Sequence, residues 1–115
     1  MSKHVKFASK TGGQIDAVLA EPPGSAKAGG LVVVHEWWGL TDHIQSLCDR
    51  FAQAGFLAIA PDLFHGKRPA TQEEAAKTMG ALDRKNAVAE IGDAVAFLRG
   101  HAGGNGRCQA VYGRG

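Results

Sequence analysis

The segment Leu31-Val32-Val33-Val34 constrains the fold more than any other part of the chain. An unbroken apolar run, three of its four residues β-branched, belongs to a strand covered on both faces, as in a parallel sheet flanked by helices. It leads directly into His35-Glu36-Trp37-Trp38-Gly39, which then forms the loop at that strand's C-terminal end. From 41 to 54, apolar residues recur at Ile44, Leu47, Cys48 and Phe51, a helical spacing, with Thr41 or Asp42 as N-cap and Gly55 as the stop. Residues 56–60 read as a second buried strand closed by Pro61.

The flanking segments extend this pattern. Residues 4–8 and 14–20 alternate, and Thr11-Gly12-Gly13 between them is a turn signal, so a β-hairpin is expected. Residues 21–30 are loop by composition. Thr71-Gln72-Glu73-Glu74 has the capping-box form and opens a helix running towards Gly80. A further helix over 84–99 would place Val88, Ile91, Val95 and Leu98 on one face. Gly103-Gly104-Asn105-Gly106 reads as a turn, and 108–112 as a last short strand. The fold class is α/β: an N-terminal hairpin followed by a mainly parallel sheet with flanking helices and right-handed crossovers. Binding chemistry in such sheets gathers at the C-terminal ends of the strands, here His35 to Gly39, Pro61 to Phe64 and Gly113 to Gly115.

Composition narrows the function classes. Thirteen Lys and Arg against eleven Asp and Glu leave a net charge of +2, too small and too scattered for a nucleic-acid or membrane-surface protein. No apolar run approaches a membrane span, and the first residues enter no apolar signal region. Two cysteines make no disulfide framework, which fits a cytoplasmic protein. The glycines form neither a dinucleotide fingerprint nor a P-loop. His35-Glu36 opens a zinc-protease pattern, but Gly39 stands where the second histidine is needed. His43, His65 and His101 have no ligand spacing, so no metal site is expected.

Three segments taken together are more specific: Val32 through Leu40 (VVVHEWWGL), Cys48 through Phe56 (CDRFAQAGF) and Ala60 through Gly66 (APDLFHG). Their succession resembles the dienelactone hydrolase family of α/β-hydrolases, over roughly residues 5–106. The resemblance implies a partial α/β-hydrolase fold and a carboxymethylenebutenolidase-like hydrolase of lactones or activated carboxylic esters, working through a Cys-His-Asp triad without a cofactor. By that resemblance Glu36 contacts the nucleophilic thiol, and the backbone N–H of Trp37 is one oxyanion-hole donor, the second following the nucleophile. Trp38 and Trp37 are candidates to line the pocket with their ring faces.

The family continues after its Gly-Asn-Gly turn with a strand and a G-[FYW]-C-x-G-G nucleophile elbow. This chain has Arg107-Cys108-Gln109-Ala110-Val111-Tyr112-Gly113-Arg114-Gly115. Aligned without a gap from Asn105-Gly106, the nucleophile position falls on Arg114, and shifted by one, on Gly115. Neither side chain can attack a carbonyl, and the triad acid and histidine would come later in chain order. Residues 1–115 are therefore read as a single, incomplete domain, with 108–112 as an exposed edge inviting self-association.

The other candidates have structural readings. Cys108 follows a turn rather than a buried strand, so an ordinary strand thiol is expected; Cys48 belongs to the core. His35 should be packed and hydrogen-bonded at the strand end, and Asp62 should accept backbone hydrogen bonds in its turn. Lys67 and Arg68 are expected to be solvated. Three readings of the whole follow: a truncated or frame-disrupted hydrolase, a half-enzyme completed by a partner chain, and a non-catalytic binding module built on Trp37 and Trp38.

Overall fold

The computed structural model describes residues 2–10, 12–24 and 27–112. Among them the elements run β1 (Ser2–Ala8), β2 (Gln14–Ala20), β3 (Ala28–Val34), α1 (Asp42–Gln53), β4 (Leu57–Pro61), α2 (Gln72–Ala81), α3 (Arg84–Gly100) and β5 (Gly104–Tyr112). The strands form one sheet in the order β1-β2-β4-β3-β5. β1 and β2 are the expected hairpin, and β2 lies antiparallel to β4. β3 is parallel to β4 on one side and to β5 on the other. Thr11, named for the hairpin turn, and Gly113 to Gly115, where the elbow was sought, lie outside the described residues.

The unbroken apolar run of β3 has a direct cause: helices cover both faces of the sheet. Val33 packs with Ile44, Cys48 and Ala52 of α1, whereas Val32 packs with Ala94 and Leu98 of α3. Thr41 caps α1, its hydroxyl accepting the Ile44 N–H. Thr71 caps α2 through the Glu74 N–H, and the Glu74 carboxylate reaches back to the Ala70 N–H, one residue beyond an ordinary capping box. Among the described residues no helix is long and apolar enough to cross a membrane.

Three expectations need correction. β3 begins at Ala28, not Leu31, so Gly29 and Gly30 are strand residues rather than loop. Glycine is poor in strands, but a Cβ on Gly30 would stand 3.0 Å from Leu98 Cδ1 and 3.2 Å from Cys108 Sγ. The missing side chain lets α3 and β5 close onto β3. β5 likewise starts at Gly104, inside the stretch read as a turn, with an irregular register opposite β3 between Ala28 and Gly30. Finally, α3 buries Ala87, Glu90, Asp93, Ala94 and Leu98, with Ile91 and Val95 partly covered, while Val88 is 69% exposed. Small alanines lie against the sheet, turning Val88 out towards the end of β3. The two buried acids have partners: Glu90 accepts from His65 and Asp93 from the Lys10 N–H.

Candidate functional site

At the C-terminal end of β3 the chain turns tightly. The Glu36 carbonyl accepts the Gly39 N–H at 3.2 Å, closing a β-turn with Trp37 and Trp38 at its corner. Gly39 has φ +79°, and a Cβ there would come within 2.8 Å of the Lys67 carbonyl oxygen. Only glycine meets both demands. The turn is thus pressed against the segment after β4.

That second segment is built around Asp62. Its N–H donates to the Asp16 carbonyl. Its buried carboxylate accepts the Phe64 N–H at 3.2 Å, the Gly66 N–H at 2.9 Å and Arg68 Nη1 at 3.2 Å. The expected structural role of Asp62 holds. Arg68 departs from expectation, since it pairs with Asp62 rather than standing only in solvent. His65 adopts φ +50° and donates through Nε2 to the buried Glu90 carboxylate at 2.8 Å, fastening the segment to α3.

His35 joins the two segments. It is 5% exposed, its ring meets Phe64 edge-on at 4.6 Å, and its Nε2 accepts the Leu63 N–H at 3.0 Å. Burial holds its imidazole below the usual range, so the ring is neutral at physiological pH. The packed, hydrogen-bonded histidine anticipated from sequence is present.

These loops form one wall of a groove of about 530 Å³. Val34, His35, Glu36, Trp37, Leu63 and Phe64 line that wall; Met79 and Leu82 from the end of α2, with Arg84, Ala87, Val88 and Ile91 from α3, line the other. Glu36 is half-buried, and Trp37 is 44% exposed. Among the described residues the Glu36 carboxylate has no hydrogen-bond partner and the Trp37 N–H donates to none. Trp38 is half-buried and does not line this groove. The structure therefore brings Glu36 and Trp37 together and leaves Trp38 to the side. Sequence reading missed the far wall. Met79, Arg84 and Val88 lie more than forty residues along the chain, and nothing in local periodicity ties them to the loop.

Neither thiol serves this groove. Cys48 is fully buried beneath α1, and burial pushes it up to about 12. Cys108 packs half-buried against the α3-side core, and burial raises it too. Both are poorly ionised at neutral pH and therefore weak nucleophiles.

Comparison with known proteins agrees with this architecture. Residues 15–110 match the dienelactone hydrolase family. Protein usf of Aquifex pyrophilus is 40% identical over 82 residues, covering 69% of this chain and 34% of that protein. A "Putative carboxymethylenebutenolidase" of Azospirillum brasilense is 43% identical over 60 residues, covering 52% of this chain and 26% of its own length. The chain thus spans about a third or less of these relatives. Among solved structures, a "Putative Dienelactone Hydrolase" from Klebsiella pneumoniae superposes with a TM-score of 0.85 at 24% identity, over 97% of this chain and 49% of that one.

Proposed function

The chain belongs to the dienelactone hydrolase family, and from that premise we propose that it forms the oxyanion side of a cytoplasmic ester or lactone hydrolase. One observation carries the reading: Glu36, half-buried with a carboxylate bonded to no described residue, and Trp37, whose backbone N–H donates to none, line one groove at the C-terminal end of β3. In hydrolysis of an activated ester the carbonyl oxygen gains negative charge as the nucleophile attacks. A fixed N–H aimed at that oxygen, in a site screened from water, stabilises the developing charge. Trp37 supplies this donor, and Glu36 faces and orients the nucleophilic thiol that the remainder of an intact hydrolase brings to the groove. The apolar far wall receives the acyl or lactone ring. Arg84, the cationic side chain among the groove residues, suits a substrate bearing its own carboxylate.

No elbow follows β5 within these 115 residues, and the two cysteines present are elsewhere and protonated. For these 115 residues alone the reading expects binding without turnover. The test is to assay hydrolysis of a p-nitrophenyl ester by two proteins. One is the 115-residue chain. The other is residues 1–112 joined to the half of the Klebsiella pneumoniae protein beyond the superposed part, with that intact protein as benchmark. The reading expects turnover in the fusion and none above buffer in the chain. A fusion that folds yet stays inactive beside an active benchmark contradicts it.

The exposed Trp37 in a largely apolar groove favours a second reading, a ligand-binding module without catalysis. That reading expects a lactone to change the indole fluorescence of the 115-residue chain while the fusion remains inactive.

A further inference from the structure

His35 makes two hydrogen bonds whose chemistry fixes its state. The Leu63 backbone N–H can only donate, so the His35 Nε2 it points at, 3.0 Å away, must carry a lone pair. The proton of the neutral ring therefore sits on Nδ1. That nitrogen lies 3.0 Å from the Glu36 carbonyl oxygen, an acceptor. One tautomer, Nδ1–H with a bare Nε2, satisfies both contacts; the other satisfies neither.

The Glu36 carbonyl belongs to the same peptide unit as the Trp37 N–H. The structure contains no cis bond among the described residues, and in a planar trans peptide the C=O and N–H point in opposite directions. Whatever holds the Glu36 oxygen therefore aims the Trp37 hydrogen. Two donors hold it, His35 Nδ1–H and the Gly39 N–H. Gly39 only packs against the neighbouring segment at Lys67, whereas His35 is hydrogen-bonded to it through the Leu63 N–H. Resting on the oxyanion reading above, we infer that His35 is a positioning residue: its Nδ1–H fixes the Glu36–Trp37 peptide plane, and its Nε2 ties that plane to the turn after β4.

Asparagine and glutamine separate the two bonds. An asparagine side-chain nitrogen overlays Nδ1 and keeps the donor to Glu36. A glutamine terminus overlays Nε2 and keeps an acceptor for Leu63 without the Nδ1 donor. The experiment is nitrogen-15 NMR on the labelled 115-residue chain and its H35N and H35Q variants. It reads the His35 ring nitrogens in the parent and the Trp37 amide in all three. The inference expects a protonated Nδ1 and an unprotonated Nε2. It also expects a Trp37 amide near its parent position in H35N and clearly displaced in H35Q, although both variants unfold at lower denaturant. A protonated Nε2, or equal displacement of the Trp37 amide in both variants, overturns it. These readouts do not depend on turnover. If they hold while Trp37 proves irrelevant to hydrolysis, His35 orders the peptide and the oxyanion reading alone fails.

Discussion

The two walls of the groove are built on opposite principles. The loop wall, from His35 to Gly39 and from Asp62 to Arg68, is fixed by backbone hydrogen bonds to buried side chains and by a close approach that only Gly39 permits. The helical wall presents exposed apolar groups, Met79 from α2 and Val88 from α3, and α2 fully buries only Ala75. Under the proposed oxyanion role the loop wall has to be rigid, because misplacement of a donor forfeits most of its effect. A wall that only receives apolar surface can be loose, since hydrophobic contact is non-directional. The division of labour follows from the physics of the two kinds of interaction.

The contrast breaks most sharply at Gly39. Placing a Cβ at φ +79° and against the Lys67 carbonyl combines backbone strain with overpacking. Gly39→Ala should therefore lower stability by about 3 kcal/mol, read from urea denaturation midpoints. A loss below about 1 kcal/mol would mean that the two loops are not pressed together as described.

A smaller effect should come from pH. Burial lowers the His35 value in the folded state, with Asp62 opposing that shift and Arg68 adding to it. A lowered folded value means that the unfolded chain binds the proton more readily. The contribution of His35 is therefore complete above the ordinary imidazole value near 6.5 and is lost as pH falls below it and through the folded value. Relative to H35N, the parent chain should lose stability between pH 7 and pH 5 by at most about 1.4 kcal/mol per pH unit. Parallel pH profiles for the two proteins would contradict a buried neutral imidazole.

On the helical wall the expected effects are smallest. Val88→Ser should change stability by no more than about 0.5 kcal/mol, because the side chain already stands in solvent. In the fusion, KM for an apolar ester should rise about fourfold, the equivalent of one buried methylene. An unchanged KM would remove this wall from the binding site.

Much of the scaffold was legible in the residues. The β-branched run of β3, the helical spacing from Ile44 to Phe51 and the threonine caps each express a local preference that the tertiary structure obeys. What escaped reading depends on contacts distant in sequence. Gly29 and Gly30 look like loop until Leu98 and Cys108 are seen packed over Gly30. Val88 looks buried because apolar periodicity cannot show that the stripe of Ala87 and Ala94 turns to the sheet instead, or that Glu90 is buried on a bond to His65. For the site, His35, Glu36 and Trp37 could be named from one loop. The bond from Leu63 to His35 spans 28 positions, and the groove's far wall spans more. Neither leaves a local pattern.

Whether the Trp37 N–H meets the charge that develops in ester hydrolysis is decided by comparing two substitutions in the fusion. Trp37 occupies the second position of a β-turn, where proline is well accommodated. Trp37→Pro therefore deletes the N–H and the indole together, whereas Trp37→Ala deletes the indole and keeps the N–H. The proline variant should have a kcat about 100-fold to 1000-fold lower than the alanine variant, the usual loss for one oxyanion donor. Equal kcat values in two folded variants would contradict it.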